Sequence, residues 1–424
     1  MGYNIFSVTT VKDTYKKKLN AFLASLGPAI AKGTDITFAD NDLTHTLELQ
    51  HERLEARNLS VEYEYYSRED EPDKVFMTSS WRDAHYESVV CTKACGIRRS
   101  FSRDGKKLYS DNRKSIMYET LSDVVEGPHP GADSYCCPGC GHVSTIAELQ
   151  NGCTFCGMQY KMSDLFPKVT GFYTLDDVGI NDKEFKSTVW KFILGATVIL
   201  WIAFFIARIV KNELTVGNII LGIIFGIFFG AVIGYFSYSI FLLVRLIFVG
   251  SRQSSGKWGT IGSRNKFEKA MKAVYPEFSF EFFTSKAISL IKNAIYSPDA
   301  TKLLMYRGNP LDPSLGTVVD LNYGGALGVN AFKSENNMAT VWTDAFFDVL
   351  YDKGEKISLK RQVFRAVFKR RIDIPMDTNF SITRIQCPSC GSSFDAIKDR
   401  KCPFCGNTYD LDFNDWVLVN LELK

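Results

Sequence analysis

"CPSCGSSFDAIKDRKCPFC", residues 387–405, carries two Cys-x-x-Cys knuckles separated by 11 residues. A second pair stands earlier in the chain: Cys137-Pro-Gly-Cys140, 12 residues, then Cys153-Thr-Phe-Cys156. Four thiolates in two tight turns suit a tetrahedral ion such as Zn2+, whose bonds to sulfur are about 2.3 Å. Cys137, Cys140, Cys153 and Cys156 are therefore expected to hold one structural Zn2+, and Cys387, Cys390, Cys402 and Cys405 a second. An iron–sulfur or redox centre is the alternative. Four protein ligands leave no open position, which argues against catalytic zinc. Gly141, Gly157, Gly391 and Gly406 each follow a second cysteine, where a knuckle turn calls for positive φ. Cys136 reads as a spectator. Cys91 and Cys95 read as buried thiols, with a third metal site as the alternative.

The two cysteine units resemble one another. "CTFCGMQYKM" (153–162) aligns with "CPFCGNTYDL" (402–411), matching Phe155 to Phe404, Gly157 to Gly406 and Tyr160 to Tyr409. Each is followed by a strand-like run, "KVTGFYTL" (168–175) and "DWVLVNLEL" (415–423). Each soluble half is thus expected to carry a ribbon just ahead of its final strand, from duplication or from generic ribbon character. If the second ribbon pins that strand, Cys387 and Cys390 replaced by Ser should unfold the C-terminal domain. A preserved fold with lost binding would mark a recognition role instead.

The chain has 424 residues, 46% of them apolar, enough for two or three cores. The net charge of +3 is too small for a dedicated nucleic-acid binder. Eight of the 11 cysteines fall in the knuckles, which points to a reducing compartment. "MGYNIFSVTTVKDTYKKK" has no apolar signal region, and Phe6 breaks the myristoylation pattern.

Between the two units lies "VWKFILGATVILWIAFFIARIV" (189–210), long enough to cross a bilayer. After "KNEL", Leu214 to Val244 runs without a charge, about 46 Å as a helix against a hydrocarbon core of about 30 Å. The second span is expected at 215–236, anchored by Tyr235 and Tyr238, with "SYSIFLLVRLIFVG" continuing as a juxtamembrane helix. Lys183, Lys186 and Lys191 precede the hairpin, and Arg252, Lys257, Arg264 and Lys266 follow it, so both termini are expected in the cytosol of a bacterial-type plasma membrane. Gly222, Gly226, Gly230 and Gly234 recur every fourth residue and let another backbone approach. They would pack the hairpin on itself, with Gly195, Ala203 and Ala207 as the facing surface, make a homo-oligomer, or line a pore.

The expected class is α+β: two cytosolic domains, each with a zinc ribbon, separated by a two-helix transmembrane hairpin. The boundaries are an N-terminal domain (1–133), ribbon and closing strand (134–180), membrane helices within 189–250, a C-terminal domain (260–385), a second ribbon (386–407) and a closing strand (408–424). In the N-terminal domain "VKDTYKKKLNAFLASLG" reads as a helix capped by Gly27. "THTLELQHERLEAR" reads as a helix or strand pair, and "LSVEYEYYSR", "DKVFMTSSW", "YESVVCTK" and "RKSIMYETLSDVV" read as strands. His45, His51, His85, His129 and His142 show no metal-binding spacing.

In the C-terminal domain "RNKFEKAMKAVY" and "FSFEFFTSKAISLIKNAIY" read as helices, followed by strands beyond Pro310. The stretch "YPEFSFEFFTSKAISLIKNAIYSPDATKL" (275–303) resembles the start of the Tim-forty-four-like domain, with Pro276, Phe278, Phe282, Ala287, Ala294 and Asp299 in the signature places. The closing "DWVLVNLEL" is similar to that family's last strand. Tyr296 departs from it, standing where Trp is common. The resemblance covers about 260–424 and implies a cone-shaped fold of the nuclear-transport-factor-two-like type, docked to a membrane surface or another protein. A curved sheet around helices would leave an apolar pocket. Arg361, Arg365, Lys369 and Arg371 share one strand face opposite Phe364 and Phe368, either to meet anionic headgroups or as a solvated face.

No phosphate-binding glycine loop, nucleophile elbow or His-Glu-x-x-His is present. The expected function is that of a non-enzymatic, membrane-anchored scaffold, zinc-stabilised, that binds membrane lipid or a protein partner. A nucleic-acid-binding ribbon protein and a pocket enzyme of the cone fold are the alternatives.

Overall fold

The structure, a computed structural model, describes residues 9–68, 75–82, 86–124, 134–177, 182–212, 215–254, 260–276, 278–373, 384–387, 389–395, 401–408 and 415–424. It resolves into two compact units. One gathers the described residues of 1–68, 73–176 and 259–424; the other holds those of 177–258.

The first unit begins with β1 (Thr9–Thr10), α1 (Asp13–Lys32), α2 (Asn41–Ala56), β2 (Ser60–Ser67), β3 (Val75–Arg82), β4 (Tyr86–Arg103) and β5 (Lys106–Val124). A small insertion follows, with β6 (Ser134–Cys136), β7 (Val143–Thr145), α3 (Ile146–Asn151) and α4 (Met162–Leu165), and then β8 (Lys168–Asp176). The sheet runs β1-β3-β4-β5-β8, with β2 pairing the other end of β4. Leu19, Phe22, Leu23, Leu26 and Ile30 put one apolar face of α1 into the core. Asp40 caps α2, accepting the Leu43 N–H at 2.7 Å. α1 does not stop at Gly27 but runs on to Gly33, whose φ of 61° ends it. Gly27 has a different job: a Cβ there would sit 2.1 Å from the Tyr63 carbonyl oxygen, so only glycine lets β2 lie against the helix.

Glu119 on β5 is buried in this core, opposite Cys91 of β4 and Phe172 of β8. Neither carboxyl oxygen has a hydrogen-bond partner among the described residues. Burial pushes its pKa up to about 8, with Lys93 pulling the other way. The folded state therefore holds a proton that the unfolded chain has already lost above its carboxylate pKa of 4.5. Stability should fall as pH rises from there to about 8. Glu119→Gln is expected to remove that slope and to gain on the order of a few kcal/mol at alkaline pH, read from denaturant melts across the range. An unchanged slope in the variant would show that Glu119 is charged in the fold.

The second unit is an antiparallel pair, α5 (Asp182–Val210) and α6 (Val216–Ser254). Two segments, Ser187–Val210 and Val216–Val244, are long and apolar enough to cross a membrane. α6 is one continuous helix through the end expected at 236. The glycine stripe faces α5 closely: a Cβ at Gly226 would meet Trp201 at 2.0 Å, at Gly230 Thr197 at 2.1 Å, and at Gly234 the Ile193 backbone at 2.5 Å. The facing surface is thus Ile193, Thr197, Trp201 and Phe204. Ala203 and Ala207 are exposed, and Gly195 has open space around its Cα. Bulky side chains on α5 fill the groove that the α6 glycines open. Tyr235 is exposed, but Tyr238 is buried against Phe192 at 5.8 Å and does not sit as an outer anchor.

The first unit resumes with α7 (Thr260–Val274), α8 (Phe280–Tyr296), β9 (Val318–Glu335), β10 (Met338–Asp352) and β11 (Ile357–Arg371). A second insertion has β12 (Arg384–Gln386) and β13 (Ser393–Asp395), and β14 (Val417–Leu423) closes the chain. This sheet runs β9-β10-β11-β14, all antiparallel. Phe283 of α8 packs its ring on Trp416, just ahead of β14, at 4.8 Å. Of the signature residues, Phe278, Ala287 and Ala294 are core, whereas Phe282 is half-buried; Asp299 caps a short 3-10 turn, accepting the Thr301 N–H at 3.1 Å. The Tyr296 hydroxyl accepts the Leu321 N–H at 2.8 Å, tying α8 to β9.

The two halves share one plan. Each has two helices, then a sheet whose last strand pairs with the strand before the insertion: β8 with β5, and β14 with β11. They are not separate bodies. Leu49 of the first half lies in the second half's core, and Val319, Leu350 and Ile357 of the second lie in the first's. Three buried or half-buried charge clusters cross the seam. Arg99 pairs with Asp320; Arg57 and Arg103 reach Asp352 at 2.8 and 2.6 Å; Lys286 reaches Asp42 at 3.3 Å and Asp415 at 3.0 Å. Sequence patterning separates the halves because the hairpin intervenes, whereas interdigitated cores join them.

The basic face of β11 is balanced by its neighbour. Arg361 and Arg365 stand opposite Asp348 and Asp344 of β10 and pair with them at 3.3 and 3.2 Å, and Arg371 pairs with Asp373 at 2.7 Å. Phe364 and Phe368 on the other face are fully buried.

Candidate functional site: two four-thiolate centres and an internal cavity

The β6–β7 hairpin carries the first knuckle, and the turn after α3 carries the second. Thr145 and Glu148 form a capping box that fixes the start of α3. Cys137, Cys140, Cys153 and Cys156 then converge, with their sulfurs all within 4.8 Å of one another. Cys387, Cys390, Cys402 and Cys405 do the same in the second insertion. The geometry repeats at every knuckle. The glycine N–H donates to the first cysteine's carbonyl at 2.8 Å, from Gly141, Gly157, Gly391 and Gly406 alike. Their φ values are 71°, 73°, 73° and 72°. The first cysteine N–H donates in turn to His142, Met158, Ser392 or Asn407 at 2.8–2.9 Å.

Sulfur pairs across each centre lie 3.7 and 3.8 Å apart in the first and 3.6 and 3.7 Å in the second. A tetrahedron with metal–sulfur bonds of about 2.3 Å has an edge of about 3.8 Å, so both sets fit one tetrahedral ion. Each of the eight cysteines can thus ligate a metal ion, and neither these eight nor Cys91 and Cys95 form a disulfide. The first centre sits on its own small core of Ile146, Leu149, Leu165 and Phe166. Tyr160 points its hydroxyl at Cys137 Sγ, 3.7 Å away. Its expected counterpart, Tyr409, lies outside the described residues, as does the loop 396–400.

Cys91 and Cys95 are fully buried in the β4 core. No metal-capable cluster among the described residues includes them. His45 is buried in α2, His51 contacts the Ile30 carbonyl at 3.1 Å, and His142 stacks on Phe155. His85 and His129 lie outside the described residues.

The residues that sequence patterning passed over are in a cavity of about 370 Å³ within the first unit. It runs along one face of α8, from Glu281 to Lys292, is walled by β3, β4, β5, β8 and β9, and is half open. The pocket expected inside the C-terminal sheet instead opens between α8 and the other half's sheet, because the second half's own interior is filled by Phe283, Phe347, Phe364 and Phe368. Arg264 and Glu281 pair with each other at one end. Lys292 lies at the other, buried, with its ammonium 5.1 Å from the centre of the Phe172 ring. The available sequence signal was a lysine inside "AISLIKNAIY", a helix segment otherwise almost wholly apolar.

Comparison with protein-family models, with curated proteins and with solved structures gives no match. The resemblance of 275–303 to the Tim-forty-four-like domain rests on its residues alone.

Proposed function

We propose that this chain is a membrane-anchored docking protein whose two zinc-bound ribbons present a protein-binding surface. The observation that carries this reading is the matched exposure of Phe155 (76%) and Phe404 (71%), at the same position of the second knuckle in each ribbon. The ribbons are neighbours, with β7 of one near β12 of the other. Two exposed aromatic tips on metal-braced turns are rigid anchors of the kind that dominate protein interfaces. The loop 141–152 contains no Lys or Arg, which speaks against a phosphate backbone as the partner. Zinc is favoured as the ion by the all-thiolate donor set.

The flanks of the hairpin fold together into one compact unit, so if α5 and α6 cross a bilayer, both flanks lie on the same side. The flanking lysines and arginines and the free thiols favour the cytosolic side. Photo-crosslinking in native membranes from residues 155 and 404 tests the reading. The expected result is one shared protein adduct from both positions, absent from a distant surface position. It should be lost in Phe155→Asp/Phe404→Asp with metal content unchanged. Crosslinks to nucleic acid, or none from either position, would overturn it.

A further inference from the structure

The cavity along α8 is built around a charge that the protein leaves unanswered. Lys292 is 8% exposed and lines the cavity, and among the described residues it makes no hydrogen bond or ion pair. Its one close partner is the face of Phe172. Burial brings its ammonium down to about 8, with Asp320 pulling the other way. Asp320, however, is engaged by Arg99 and by Gln50 at 3.0 Å. Arg264, the other lining cation, is paired with Glu281. The cavity thus presents one uncompensated positive charge. Thr284 Oγ1, also on the wall, is buried with no hydrogen-bond partner among the described residues.

Apolar carbon makes up most of the surface of the wall, from Leu43, Val90, Phe172, Ile288 and Leu327 among others. Hydroxyls interrupt it, Ser285 and Ser289 on α8 and Thr120 and Thr170 on the facing strands. From Glu281 to Lys292 the helix rises about 16 Å, so the space is elongated. Its volume is within the range of small-ligand sites, about 300–1,000 Å³. Exposed Thr78 and Gly325 lie at its mouth. A buried cation costs free energy unless it is paired, and an elongated, half-open cleft with a largely apolar surface favours a chain-like body. One cation rather than two matches a single negative charge.

We propose that this cavity binds a chain-like amphipathic monoanion, a carboxylate with an apolar tail, whose head pairs with Lys292 and whose tail lies along α8. The site lies within the first unit and requires neither the ribbons' partner nor the membrane hairpin, so it stands or falls apart from the docking reading.

Decanoate is the test ligand, with decanol and decylamine as the neutral and cationic counterparts of the same tail. The full chain in lipid nanodiscs is titrated calorimetrically, with empty nanodiscs as the blank. Saturable binding of decanoate, at least about tenfold tighter than decanol, is expected. Lys292→Met should bring decanoate down to the level of decanol while leaving decanol unchanged. Gly171→Leu provides a second variant that keeps the charge. The nearest atom to a Cβ at Gly171 is Ser285 Oγ at 4.0 Å, so the new side chain enters open cavity. It should abolish binding of both ligands with the melt unchanged. Decanol or decylamine binding as tightly as decanoate, no saturable decanoate binding, or decanoate affinity unmoved by either substitution would overturn the proposal.

Discussion

Arg99→Met is expected to destabilise the first unit by about 3–5 kcal/mol. Arg99 is 2% exposed, donates to both carboxyl oxygens of Asp111 at 2.8 Å, and pairs with Asp320 across the seam. Removing it leaves the buried Asp320 carboxylate with only neutral donors, Gln50 at 3.0 Å and Tyr63 at 3.4 Å. An abandoned buried charge costs more than the pair contributes, so Arg99→Met/Asp320→Leu should recover much of the loss. Denaturant melts of the four species close the cycle. Additive single costs would mean that Arg99 and Asp320 are not coupled, and that the other seam contacts join the halves without them.

Cys387→Ser/Cys390→Ser is expected to lose one of two bound metal ions and to unfold the second ribbon. Structural zinc in such peptides contributes about 10–16 kcal/mol of apparent binding free energy at neutral pH, which vanishes with its ligands. The domain around the ribbon should survive. β14 is joined to β11 by a connection of about 45 residues, 372–416. Releasing the clip at 387–405 lengthens the effective loop by less than a doubling, which costs under about 0.6 kcal/mol. Trp416, Leu418 and Leu421 remain in the core, where no ribbon cysteine sits. Metal analysis should fall from two ions per chain to one, while hydrogen exchange at β14 stays slow. Loss of β14 protection would restore the pinning role that the sequence suggests for this ribbon.

The knuckles were legible because their requirements are local. Cysteine spacing and the glycine after each second cysteine specify a turn within five residues, and all four turns adopt it with φ near 72°. The α+β class and the two long apolar helices were legible for a similar reason, since period and length are properties of a single segment. Gly27 shows where local reading fails. Glycine after a helical run signals a cap, but here it answers the Tyr63 carbonyl of a strand 36 residues on. The glycine stripe of α6 was visible, yet which α5 face meets it depends on how Trp201 and Phe204 interlock with it.

By itself, then, the sequence determined the eight cysteine positions, the insertion of each ribbon ahead of a closing strand, and the apolar hairpin. Tertiary structure alone decided that the halves on either side of the hairpin merge into one unit. It also decided that Asp344 and Asp348 answer the basic face of β11, and that Lys292 faces a cavity. These features join residues up to 295 positions apart, as Arg57 is from Asp352. No periodicity within one segment encodes such pairs; they exist only once two cores interdigitate and bring their charges to a common seam.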